Sequence, residues 1–253
     1  MESTLEKFQE LYKTIKILRS PDGCPWDSKQ TSKSLIPYLL EETHEVIEAI
    51  EAENLSEIKE ELGDLFLHLI FQSQIYEEKN AFSISEILEK IDLKLKNRHP
   101  ELFGIENGNV GLSWEERKQK EKKRKKYLDG VPKSLPALTR ASRIQEKAAQ
   151  VGFDWDEINP IWDKINEEIG ELKSAIDLKD EIKISEELGD VLFSIVNLSR
   201  FLKIQPESSL KNTITKFEKR FHYIETELAE KNITLSEASL EQMDDIWNKS
   251  KKI

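Results

Sequence analysis

Apolar residues recur along this chain at helical spacing. Over residues 4–19 they fall at Leu5, Phe8, Leu11, Tyr12, Ile15 and Leu18, one face of a 3.6-residue period, which predicts a helix. SPDGCPW then breaks the pattern with Pro21, Gly23 and Pro25. A second helix is expected to start at Ser32 or Ser34, with Leu35, Tyr38, Leu39, Val46, Ile47 and Ile50 on its core side. A third carries Ile58, Leu62, Leu65, Phe66, Leu69 and Ile70 inward. A fourth is expected from Ser85 to about Asn97, ending near His99-Pro100. ELFGIENGNVG reads as a loop and WEERKQKEKKRKK, opened by Trp114, as a solvated helix end and linker.

After a break at DGVPKSLP the helical pattern resumes. ALTRASRIQEKAAQVGFDW gives a helix and a Gly/Asp/Trp turn that echoes CPWD at Cys24–Asp27. Val191, Leu192, Ile195, Val196 and Leu198 mark another helix, NTITKFEKRFHYIETEL one more, and the chain closes on DDIWNKSKKI. No stretch alternates long enough to be a strand. The expected fold is all-α, two repeated helical-bundle units: residues 1–126 with the charged linker, and residues 127–253.

The repeat is legible in the acids. Glu168 and Glu171 are three apart, as are Glu187 and Asp190, so each pair projects from one helix face. Between them Asp180 is placed to cap the second helix, and a short connection makes the helices antiparallel. Glu42, Glu45, Glu61 and Asp64 form the same pattern, each 126 positions earlier, as is Asn54 relative to Asp180. The chain is an internal duplication that kept its acids in register. Four converging carboxylates repel unless a cation lies between them, and an oxygen-only cage suits Mg²⁺ or Mn²⁺. The metal-ligand candidates are Glu168, Glu171, Glu187 and Asp190, with a possible second site at Glu42, Glu45, Glu61 and Asp64.

Such an ion with open positions, and a spare carboxylate to take a proton, suits hydrolysis of a phosphoanhydride. The cations that could meet a phosphate chain are Lys216 and Arg220, the equally spaced Lys94 and Arg98, and more weakly Lys164 and Lys183. Trp247 could stack on a base, with Trp114 in similar surroundings.

Composition narrows the alternatives. A net charge of −11 argues against nonspecific nucleic-acid binding. One cysteine, Cys24, excludes a disulfide framework, and no apolar run reaches transmembrane length. The expectation is a soluble cytoplasmic protein with no nucleic-acid or membrane partner. The histidines are not repeated, since His44 and His68 correspond to Gly170 and Ser194, which argues against a di-iron bundle. No phosphate-cradling glycine loop of the P-loop or dinucleotide type occurs.

The E-E-x-x-E…E-x-x-D pattern, at Glu41-Glu42-x-x-Glu45…Glu61-x-x-Asp64 and Glu167-Glu168-x-x-Glu171…Glu187-x-x-Asp190, resembles the all-α nucleoside triphosphate pyrophosphohydrolase superfamily. The tandem duplication with CPWD, NRHPELFG and VPKSLPALTRASRIQEKAAQVGFDWD is similar to the two-domain MazG family over nearly the whole chain. The resemblance implies Mg²⁺-dependent cleavage between the α and β phosphates, giving a nucleoside monophosphate and diphosphate. It also implies broad base tolerance, a homodimer, and a housekeeping or stringent-response role. It makes the second unit the main catalytic candidate and carries nucleotide contacts onto Lys164, Lys183, Lys216, Arg220 and Trp247. In the first unit Tyr38 and Glu57 replace Lys164 and Lys183, which lowers its expected affinity for a triphosphate. The competing reading is a non-catalytic helical dimer that binds a nucleotide or a partner protein. A Nudix hydrolase would need strands that the pattern lacks.

Overall fold

A computed structural model describes residues 2–104 and 126–251. The chain divides into two compact units, Met1–Trp114 and Glu115–Ile253, and each is described by itself. Trp114, most of the charged run and most of the Gly- and Asn-rich segment lie outside the described residues. Among the described residues there is no strand, and no helix is long and apolar enough to cross a membrane.

The first unit begins with α1 (Glu2–Leu18). Its C-terminus is closed by Cys24, whose N–H donates to Leu18 O at 2.8 Å. Gly23 is required here, because a Cβ on it would lie 2.1 Å from Ile17 O. A 3₁₀ turn (Asp27–Lys29) leads to α2 (Ile36–Glu51) and α3 (Leu55–Glu78), followed by α4 (Ile84–Arg98) and the single turn α5 (Pro100–Phe103). The core sits where α1 and α3 meet the start of α2: Ile15, Leu35, Ile70, Phe71 and Ile75, with Phe8, Leu11 and Tyr12 packed on it.

Three expectations need correction. Ser32 and Ser34 do not open α2. Ser34 and Thr31 instead bond each other across a preceding turn, and α2 starts at Ile36 with Pro37 in its first turn, where a missing N–H costs nothing. The helix expected from Ser85 starts one residue earlier, at Ile84, where Ser83 and Glu86 form a reciprocal capping box. Part of ELFGIENGNVG is helical, the turn α5, ended by left-handed Gly104 (φ 65°).

The second unit comprises α6 (Ala137–Ala149), α7 (Asn159–Leu178), α8 (Glu181–Phe201), α9 (Pro206–Glu230) and α10 (Leu240–Ser250). α8 packs on α7 and α6, and α9 on α10, α6 and α8. Ile161, Ile165, Ala175, Val191 and Val196 are buried. A second cluster, Ile224, Leu228 and Ile246, pins α10 to α9.

The apolar stripes are wider than the chain's own core. Tyr38, Ile47, Ile50, Leu62, Phe66 and Leu69, expected to face inward, are exposed, and so are Leu192 and Ile195 in the second unit. One neighbouring helix covers only part of an apolar face this broad.

Candidate functional site

The two acidic hairpins are built alike. α2 and α3 are joined through Glu53 (φ 53°) and α7 and α8 through Lys179 (φ 57°), positions 126 apart. The next residue caps the following helix in both. Asn54 Oδ1 accepts from the N–H groups of Ser56 and Glu57, and Asp180 Oδ1 from that of Lys183 at 3.2 Å. The identical reversals bring the acidic faces of adjacent helices together. Carboxylate oxygens of Glu168, Glu171 and Glu187 lie within 4.8 Å of one another, and those of Glu42, Glu45 and Glu61 do the same. Asp190 and Asp64 stand beside their groups rather than within them. Asp190 acts on Glu187 through its charge, and Asp64 on Glu42 and Glu61.

Crowding shows in the proton affinities. Burial, then the charges of Glu171, Asp190 and Glu168, push the Glu187 carboxyl above its ordinary value. Burial, then Asp64 and Glu45, push Glu42 up, and burial with Glu45 leading its charged neighbours pushes Glu61 up. Lys164 Nζ lies 2.8 Å from both Glu167 and Glu168, and these two partners raise its pKa. Glu168 itself is 6% exposed. The donor set is all oxygen, clustered and short of positive charge, and fits a hard divalent cation.

The second-unit cluster opens onto a cavity of about 570 Å³, a size usual for small-molecule sites. Lys164, Glu168 and Asp190 stand on its wall, and Ile144, Ala148, Phe153, Trp155, Ile161 and Phe193 make it largely apolar. The loop after α6 is held over it by an ion pair. Arg200 Nη1 donates to Asp154 Oδ2 at 2.9 Å and Arg200 Nη2 to Asp154 Oδ1, while Asn197 Oδ1 accepts from Arg200 Nε and Nη2 at 3.1 and 2.8 Å. Sequence reasoning missed this cavity. One signal was available: at fixed register α8 carries Ser194, Asn197 and Arg200 where α3 carries His68, Phe71 and Gln74. The bulkier His68 and Phe71 are packed in. His68 Nε2 stands 3.8 Å from Glu42, burial lowers its pKa against the pull of Asp64, and Phe71 is buried under the Arg19 guanidinium at 5.0 Å.

The other expected nucleotide contacts are dispersed. Lys216 and Arg220 line a separate pocket of about 600 Å³ with Lys219, Tyr223 and Lys251. Trp247 packs on Phe217 at 5.2 Å and under the Arg220 guanidinium at 5.5 Å, partly buried beside Ile246. Lys183 is exposed in the first turn of α8 and lines neither pocket. In the first unit Arg98 is 5% exposed, so Lys94 and Arg98 do not form an open pair.

A family model described as the MazG nucleotide pyrophosphohydrolase domain matches the chain twice, at residues 30–103 and 159–224. These segments hold the two acidic hairpins. A Thermotoga maritima protein named nucleoside triphosphate pyrophosphohydrolase/pyrophosphatase MazG is 46% identical over 96% of this chain and 95% of its own length. An Escherichia coli K12 nucleoside triphosphate pyrophosphohydrolase is 38% identical over 98% of both. The uncharacterized protein YabN of Bacillus subtilis is 42% identical over 97% of this chain but 52% of its own length.

Proposed function

Because the chain belongs to the MazG nucleotide pyrophosphohydrolase family, we propose that it hydrolyses nucleoside triphosphates to monophosphate and diphosphate at the second-unit acidic cluster, with Mg²⁺. The observation that carries this reading is the meeting of Glu168, Glu171 and Glu187 from α7 and α8 within 4.8 Å, on the edge of a cavity of nucleotide size.

Glu168, Glu171, Glu187 and Asp190 would hold the ion, and Mn²⁺ would substitute. Once bound, a hard divalent ion offsets the charge crowded on carboxylates and phosphates and polarises the phosphoanhydride. Lys164, resting on Glu167 and Glu168, is within reach of a phosphate oxygen by rotating about its flexible stem. Water adds at the α-phosphorus, the bond to the bridging oxygen breaks, and diphosphate leaves. A carboxylate of the cluster that is not engaged with the ion takes the proton that the attacking water loses. Lys216, Arg220 and Lys183 remain candidates for further phosphate contacts and Trp247 for a base contact. The first-unit acids form the possible second site.

The exposed apolar faces of α2, α3, α7 and α8 support a homodimer that covers them, and light scattering in solution tests it. A cytoplasmic location goes with a triphosphate substrate. The activity is tested with purified full-length chain, Mg²⁺ and a panel of nucleoside triphosphates, products separated by ion exchange. Monophosphate and diphosphate in equal amounts from several bases are expected. A nucleoside diphosphate with orthophosphate would contradict the assigned bond, and no product would favour the non-catalytic dimer.

A further inference from the structure

We propose that Lys164 is an exchangeable counter-ion of the second-unit acids: it holds Glu168 until a divalent cation binds, and that cation then turns it out toward the substrate's phosphates. The phosphate half of the inference rests on the pyrophosphohydrolase reading.

Lys164 stands three and four residues before Glu167 and Glu168 on α7, and its Nζ lies 2.8 Å from a carboxylate oxygen of each. The two partners differ. The Glu167 side chain is 55% exposed, so that contact is on the rim and contributes little. Glu168 is buried, and its carboxylate is one of the three that meet within 4.8 Å. The ammonium therefore neutralises the same oxygens that a divalent ion would use. Two cations cannot share them cheaply, because like charges a few ångströms apart repel. The lysine has somewhere to go: its side chain is 37% exposed, its stem is flexible, and it stands on the cavity wall.

The first unit separates this role from a structural one. Glu41 and Glu42 correspond to Glu167 and Glu168, but Tyr38 corresponds to Lys164. Tyr38 carries no charge and meets Trp26 edge-on at 5.9 Å. Glu42, Glu45 and Glu61 still gather within 4.8 Å. The hairpin thus folds and converges its acids without the lysine, so Lys164 is not there to assemble them. It makes the second site take an ion together with a phosphate chain more readily than an ion alone.

The test reads binding, not turnover. Full-length chain carrying Glu45→Gln and Glu61→Gln, which silence the first cluster, is titrated calorimetrically with Mg²⁺ alone. It is then titrated, at saturating Mg²⁺, with α,β-methylene-ATP, which cannot be cut at the assigned bond. Adding Lys164→Met should shift the two in opposite directions. Mg²⁺ alone should bind about 3- to 10-fold more tightly, the worth of a half-exposed ion pair to a charged group, and the triphosphate should bind several-fold more weakly. Lys173→Met removes a charge from an exposed position farther along α7 and should move neither. Mg²⁺ affinity that is unchanged or lower in Lys164→Met, an equal gain in Lys173→Met, or an unchanged triphosphate affinity would overturn the inference. Opposite shifts with no diphosphate release from any triphosphate would instead overturn the hydrolase reading and leave the exchange standing.

Discussion

Asp154→Ala cuts the tie that holds the loop carrying Phe153 and Trp155 against α8. Two hydrogen bonds between charged groups go at once, Arg200 Nη1 to Oδ2 and Nη2 to Oδ1. The pair is neither fully buried nor free: the side chains are 13% exposed for Arg200 and 28% for Asp154. Losing one partner of a buried pair costs about 3–5 kcal/mol, and an exposed pair contributes about 0–1 kcal/mol. Arg200 keeps its two bonds to Asn197, which moderates the penalty. A loss of about 2 kcal/mol follows, a fall of roughly 5–8 °C in the melting of a unit this size. Differential scanning calorimetry should show it in the second unit's transition alone. The carboxylates sit on α7 and α8 and none is carried by this loop, so KM for a triphosphate should rise several-fold while kcat changes little. A drop in kcat at constant KM, or unchanged melting, would refute the reasoning.

Other consequences concern charge. In metal-free protein Glu187 resists ionisation, so its contribution favours the fold while the group is protonated and is lost as pH rises through its elevated pKa. Glu187→Gln should therefore raise the metal-free melting temperature at pH 7 and flatten its fall above pH 4.5, while the stabilisation that Mg²⁺ gives the wild type disappears. Glu77 and Glu78 behave oppositely. The Tyr12 hydroxyl and Lys16 hold Glu77 below its ordinary 4.5, and Arg19 chiefly holds Glu78 there. Their stabilisation is present above pH 4.5 and lost as pH falls below it. Arg19→Met should remove the Glu78 part, read as a shallower acid limb in the first unit's melting curve.

The fold was legible where the duplication repeats a local rule. Asn54 and Asp180 cap as their side chains dictate, and acids three apart share a face, so the hairpins followed from spacing. The exposed Leu62, Phe66 and Leu69 were not legible, because a 3.6-residue period marks an apolar face without saying what covers it. Lys216 and Arg220 have the right spacing, yet the packing of α9 puts them in a pocket of their own. The cavity escaped for a different reason. Gln145, Asp154 and Arg200 come from a helix, a loop and another helix, and Arg200 has no charged counterpart at Gln74. A search for what the repeat kept passes over what only one copy has.

The central claim is that carboxylates of α7 and α8 hold a divalent cation on which hydrolysis depends. Diphosphate release measured while Mg²⁺ is titrated from chelated to saturating, in the wild type and in Glu171→Gln and Asp190→Asn, tests it most directly. Release that rises with Mg²⁺ in the wild type and is lost in both folded variants is predicted. Release that persists under chelation, or in both variants at wild-type rates, would contradict it.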